Sequence, residues 1–175
     1  MSKKLTGASI PILTSYKDQT VTFSGTIEYP LPDVMVYVGD MENSNIITVA
    51  WTGVVCSDPA MVYISVRPSR HSYEIIRRSG EFVINLTTSA MAHSVDFCGV
   101  RSGSKIDKIE KCGFHKEKAS KVEAPVISES PLSLECKVIE VKHLGTHDMF
   151  IAEVVAVDTA ERYIDSQGKL NLQQA

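Results

Sequence analysis

Asn45-Ile-Ile-Thr-Val-Ala-Trp-Thr-Gly53 is the stretch on which the reading of the fold turns. Its side chains alternate: Thr48, Ala50 and Thr52 fall on one side of an extended strand, and Ile47, Val49 and Trp51 on the other, the period of two that a pleated backbone imposes. One face suits a core. The other, small and polar, suits water or a ligand. Outward from this stretch, strand-like runs at 20–23, 35–38, 46–55 and 61–66 are separated by Pro, Gly and Asp/Asn clusters. Past Ser69 the period changes: Tyr73, Ile75 and Ile76 recur at near-helical spacing, Arg77 and Arg78 sit where a helix dipole favours cations, and Gly80 can end the run. A short helix is predicted over 69–79. Residues 82–86 return to strand, 89–99 and 105–113 read as two further short helices, and 132–141 and 150–157 are β-branched runs joined by a tight turn around Gly145. So many strands with only short helices between them do not fit a doubly wound parallel sheet, which needs a crossover helix after nearly every strand. The expectation is a mainly β protein, a small antiparallel barrel with helical insertions.

The 175 residues, 43% hydrophobic and 22% charged, suit one domain spanning 1–175 with a sizeable core. A net charge of −3 lacks the basic excess that a general nucleic-acid or anionic-membrane surface needs, so small molecules or proteins are the expected partners. The four cysteines, Cys56, Cys98, Cys112 and Cys136, form no CxxC pair and read as reduced thiols. Polar residues interrupt the segment after Lys3 and Lys4, and no apolar run approaches the length of a bilayer span. A soluble cytoplasmic protein is expected, without a signal peptide.

Chemistry concentrates at the strand-to-helix junction. The chain passes from Ile64-Ser-Val66 through Arg67-Pro-Ser-Arg-His71 to a helix start near Ser72, so free N–H groups and the positive end of a helix dipole emerge beside Arg67, Arg70 and two serine hydroxyls. That is an anion site suited to one phosphate, or else a helix capped by Ser69 with its arginines in solvent. With no GxGxxG after a strand and no GxxxxGK[ST], a lone phosphate suggests FMN rather than a dinucleotide. Asn85 ends an apolar strand, where its amide either closes a turn or reaches a ligand. The loop Ser102-Gly-Ser-Lys-Ile-Asp-Lys108 carries two lysines that suit a phosphate or an electron-rich ring edge, or else it is a solvated helix start with Asp107 in the first turn. His143 and His147 have HxxxH spacing but lie across a β turn, the wrong setting for a helical metal pair. No GxSxG elbow or activated cysteine supports hydrolase chemistry.

Four segments in this order, Asn45–Gly53, Val66–Ser72, Gly80–Leu86 and Ser102–Lys108, resemble the flavin reductase-like family, the FMN-binding split barrels that include flavoredoxin. The resemblance runs from about Tyr29 to Val157 and takes in Ala124–Ser130, Leu134-Glu-Cys136 and Gly145–Phe150. It implies a six-stranded antiparallel split barrel with short helices, a homodimer with FMN at its interface, and electron transfer from NADH or NADPH through the flavin to free flavin, oxygen or a protein. A flavoredoxin-type carrier with no nicotinamide site of its own is the alternative. Cofactor contacts are then expected from Asn45, Thr48, Val49, Ala50, Trp51 and Thr52, the backbone of 48–52 meeting the ring edge. Arg67, Arg70, His71 and Ser72 are expected at the phosphate, Asn85 and Leu86 near the ribityl chain or phosphate, and Ser102, Gly103, Lys105, Asp107 and Lys108 in the clasping loop. His147, the catalytic candidate, falls to the ring side, where it helps seat a nicotinamide, or else it is an exposed turn histidine. The chain departs from the family pattern at Ser104, Lys105 and Thr146, where an arginine, an acid and an aspartate are usual.

Overall fold

The computed structural model describes residues 26 and 31–171; the strand expected at 20–23 lies outside them. The chain divides into two units, Met1–Leu31 and Pro32–Ala175, and every described strand and helix belongs to the second. In chain order these are β1 (Val34–Gly39), β2 (Ser44–Val49), β3 (Thr52–Ser57), β4 (Ala60–Val66), α1 (His71–Ser79), β5 (Glu81–Asn85), α2 (Ala92–Val100), α3 (Lys108–Cys112), β6 (Lys116–Glu117), β7 (Val126–Ile127), β8 (Leu132–His143) and β9 (Asp148–Thr159). None of the described helices is long and apolar enough to cross a membrane.

Seven strands form one antiparallel sheet in the order β2-β1-β5-β8-β9-β4-β3. β2 and β3 therefore stand at opposite ends of that order, yet only Ala50 and Trp51 join them. Laid flat, seven strands at about 4.8 Å spacing would hold the two edges about 29 Å apart, whereas three Cα steps reach about 11 Å. The sheet has to roll until its edges meet. A hydrogen bond from Ser65 N–H in β4 to the Trp51 carbonyl, at 2.8 Å, carries the β3–β4 pairing one residue into the link. The single strand expected over 46–55 is thus two strands, which turns the expected six into seven. The bend also corrects the alternation, because Trp51, expected on the core face with Ile47 and Val49, is 39% exposed.

Inside the roll, Val34, Val36, Val38, Ile47, Val49, Val62, Ile64, Phe82, Ile84, Cys136 and Phe150 pack together, with Tyr73 and Ile76 of α1 added to them. Phe82 and Phe150 are wholly buried, and each such side chain contributes about 1.5–3 kcal/mol. A second cluster covers the outer face of β1, β2 and β5, where Met35, Tyr37, Ile46 and Val83 meet Val95 and Cys98 of α2 and the segment from Val122 to Ile127. β1 is buried on both faces, so it reads as an unbroken apolar run rather than an alternating one. α1 ends at Gly80, whose φ of 68° is left-handed and whose N–H bonds the Ile76 carbonyl.

Two buried polar side chains stitch these layers. Asn85 Nδ2 donates to the carbonyls of Met35 (3.1 Å) and Val83 (3.3 Å), while its Oδ1 accepts from Ile127 N–H (3.0 Å) and Ser133 Oγ (2.8 Å). All four amide valences are taken up inside the protein, so the Asn85 side chain acts as a structural clasp and leaves no donor or acceptor over for the flavin contact expected of it. Leu86 likewise packs against the inner core. Glu135, wholly buried, accepts from Ser120 N–H (2.7 Å) and Oγ (2.8 Å), Lys121 N–H (2.6 Å) and Val122 N–H (3.1 Å). Burial by itself would raise its pKa, but these hydrogen bonds outweigh it and hold the carboxyl below the usual range. Asp158 beside it is pushed up to about 6, by burial first and then by Glu135.

Asn85→Leu strands Ile127 N–H and Ser133 Oγ, and should cost roughly 3 kcal/mol in urea unfolding. A loss of flavin affinity at unchanged stability would instead return Asn85 to the ligand role. Asp158 takes up a proton more readily folded than unfolded, so the stability it lends is complete below its ordinary value of 3.8 and is lost as pH rises through about 6. Asp158→Asn keeps the neutral form at every pH, and should raise the thermal midpoint above pH 6 while changing it little near pH 4.

Candidate functional site

The start of α1 leaves backbone donors without a cap. Arg70 is its N-cap, in extended conformation and without a side-chain cap, and Tyr73 N–H bonds back to the Arg70 carbonyl. The N–H groups of the first turn therefore lack the usual capping oxygen. Facing them, Asn45, Ile47, Ser69, Arg70, His71, Ser72, Arg101, Ser102, Gly103 and Lys108 enclose a cavity of about 150 Å³. Two arginines and a lysine line it, and no carboxylate does. Anion binding at a helix N-terminus needs this sign of charge and these free donors.

Asn45 holds the two walls together. Its Nδ2 donates to Ser72 Oγ at 2.7 Å, and both residues are buried; Ser72 keeps its own hydroxyl proton to give. The 102–103 loop lies so close on the other side that a β-carbon at Gly103 would stand 1.9 Å from Asn45 Oδ1. Only glycine fits there. Lys108, 3% exposed, donates to the Cys98 carbonyl (2.9 Å) and the Arg101 carbonyl (3.1 Å), satisfying the end of α2. Burial first, and then Arg70, lowers its pKa. One of its three donors remains for the cavity.

A second depression, about 170 Å³, opens where the sheet seam bends: Ile47, Thr48, Val49, Ala50, Trp51, Ser65, Val66, Arg67, Arg70 and His147 line it. The imidazole of His147 lies on Trp51 with ring centroids 4.1 Å apart, and Arg67 Nε donates to its Nε2 at 3.3 Å. Burial first, then Arg67 and Arg70, holds the His147 pKa below its ordinary 6.5. The hairpin that presents His147 is anchored through the next residue: Asp148 Oδ2 accepts from the Tyr73 hydroxyl and pairs with His143 Nδ1 at 2.9 Å. His143 and His147 thus have different partners. A third depression, about 620 Å³, borders Thr48, Ala50 and Arg70 together with Asp33, Thr87, Thr88, Ser89, Asp96 and Gly99. Arg70 borders all three, which makes them one interrupted groove.

Several expected contacts have other duties. Arg67 lies on the His147 side and not in the anion cavity. The Thr48 hydroxyl donates to the Val95 carbonyl at 2.5 Å and that of Thr52 to the Tyr63 carbonyl at 2.8 Å; Thr52 borders none of the three depressions. The Val49 side chain belongs to the inner core. Asp107 is the N-cap of α3, accepting from Ile109 N–H (2.9 Å) and Glu110 N–H (3.1 Å), and exposed Lys105 closes a turn with Ser102 through its N–H. Asn45, Thr48, Val49, Ala50, Trp51, Arg67, Arg70, His71, Ser72, Ser102, Gly103, Lys108 and His147 all border the groove. Sequence reasoning missed Arg101 and the Thr87-Thr-Ser89 wall. Arg101 directly precedes the Ser102 segment, and Thr87-Thr-Ser89 follows the apolar run ending in Leu86; those positions were the available signals.

The flavin reductase like domain matches residues 27–171. An uncharacterised protein of Pyrococcus abyssi (strain GE5 / Orsay) is 30% identical over 144 residues, 82% of this chain and 82% of that one. Flavoredoxin of Desulfovibrio vulgaris (Miyazaki F) superposes with a TM-score of 0.79 at 29% identity, covering 86% of this chain and 81% of that one. Flavoredoxin from Methanosarcina acetivorans gives a TM-score of 0.81 at 28% identity, over 90% and 83%. The match over residues 27–171, nearly the whole described length, places this chain with its rolled antiparallel sheet in the flavin reductase like domain family.

Proposed function

We propose that the chain is an FMN-binding oxidoreductase that takes electrons from NADH or NADPH and delivers them to free flavin, oxygen or a protein acceptor. The observation that carries the reading is the carboxylate-free cavity at the start of α1, lined by Arg70, Arg101 and Lys108 and adjoining the depressions at the seam through Arg70. One phosphate matches its size and charge, and the larger hollows beside Thr48 and Ala50 suit a ring system. Ser72, Ser102 and the first-turn N–H groups are the donors for that phosphate, and the backbone of Thr48 to Trp51 supplies donors and acceptors at the ring edge. When bound, FMN would accept a hydride from the nicotinamide and pass the electrons on. The protein needs no catalytic acid or base of its own for this. His147, neutral and tilted against Trp51, offers an aromatic wall for a nicotinamide. Exposed Val54 (80%) and Val55 (47%) on edge strand β3, next to Trp51, favour a homodimer that closes over the groove. The reduced thiols and the absence of a basic excess fit a cytoplasmic protein working on small molecules. A flavoredoxin-type carrier is the second reading, favoured by the likeness to two flavoredoxins.

FMN should bind more tightly than riboflavin in a fluorescence titration. Arg101→Ala should weaken FMN by about 1.5–3 kcal/mol, the worth of a hydrogen bond to a charged group, and leave riboflavin unchanged. Equal losses for both ligands would sink the phosphate assignment. In steady-state assays with added FMN the protein should oxidise NADH or NADPH, and His147→Ala should raise the KM for the nucleotide while sparing FMN affinity. A protein that binds FMN but oxidises neither nucleotide is the carrier.

A further inference from the structure

A histidine in water is free in both charge and tautomer, and the surroundings of His147 restrict both. Its Nε2 meets the Nε–H of Arg67 at 3.3 Å, and a ring nitrogen that accepts from a guanidinium carries no proton of its own. Its Nδ1 meets the Thr146 hydroxyl at 3.0 Å, which accepts as readily as it donates. The ring lies over Trp51 at an interplanar angle of 38°. We infer that Arg67 is a positioning residue for His147, fixing the imidazole as the neutral Nδ1–H tautomer against Trp51 at the wall of the groove.

The charges around the ring agree. Arg67 at the end of β4 and Arg70 before α1 are cations facing it, and both oppose an imidazolium, as does burial. In its own hairpin, the Asp148 carboxylate that would favour one is turned to Tyr73 and His143. Trp51, from the link between β2 and β3, carries no charge. Protonation at Nε2 would set donor against donor and break the Arg67 contact. The consequence rests on the proposed reductase reading: a nicotinamide that has given up its hydride is a pyridinium cation, which a neutral imidazole tolerates and an imidazolium repels.

Trp51 is the sole tryptophan of the chain, and an imidazolium quenches a stacked indole more strongly than an imidazole does, so its emission reports the charge of His147. Titration of the purified full chain should show quenching with a midpoint below the ordinary histidine value of 6.5, abolished by His147→Gln. Arg67→Met should move the midpoint up, and Arg67→Lys, which keeps the charge without the fixed fork, should move it less. In nitrogen-15 NMR of the unaltered protein at pH 8, Nδ1 of His147 should carry the proton. An unmoved midpoint in Arg67→Met, a transition that survives His147→Gln, or a proton on Nε2 would each overturn the inference. A shifted midpoint in a protein that oxidises no nicotinamide would uphold it while overturning the reductase reading, which keeps the two separable.

Discussion

The two-residue link at Ala50 and Trp51 is the constraint on which the molecule depends. It ties strands from opposite edges of the sheet, so the sheet rolls up around Phe82, Phe150 and the valines of β1. At the seam the backbone leaves regular pairing, and its peptide groups are held only in part, by Ser65. A place where pairing must lapse is a place where a ligand can take up polar backbone groups. The groove follows that seam, with Thr48 and Ala50 in two of its three hollows.

Around the seam, polar residues act mainly by holding other residues. Asn45 keeps Ser72 and the Gly103 loop in register, Lys108 finishes α2, and Asp107 starts α3. Arg101 and Ser102 lie between these last two supports, so the basic wall of the cavity is set by fixed neighbours rather than by its own loop. Rigid support of this sort lowers the ordering cost of binding. On the opposite side the His147 hairpin is anchored through Asp148 to Tyr73 of α1, so the helix whose start lines the basic cavity also braces the wall beside Trp51.

Much of the fold was legible in the sequence because its signals are local. The near-helical spacing of Tyr73, Ile75 and Ile76 and the stop at Gly80 delimited α1 within two residues at its start, and the β-branched runs around Gly145 marked β8 and β9. The ordered set of four segments carried the family and the resemblance to flavin-binding split barrels. The break at Ala50 was not legible, since alternation continues through it from Ile47 to Thr52 and the two halves differ only in which strand they pair with. β6 and β7, two residues each, are too short for any period to register.

For the groove, local sequence fixes which residue types lie close along the chain: hydroxyls and arginines before α1, glycine and lysine before α3, an amide at the end of β5. What each one does follows from packing between distant segments. Asn85 and Lys108 are engaged wholly or largely by buried groups, because a polar group taken from water must find a partner and the nearest ones were internal, while exposed Asp107 caps the start of α3. Arg67 and Arg70, three residues apart, both reach the hollow beside His147, but the turn into α1 carries only Arg70 on to the other two. Arg101 joined Arg70 across 31 positions of sequence, a proximity that no local pattern encodes because the rolled sheet and α2 create it.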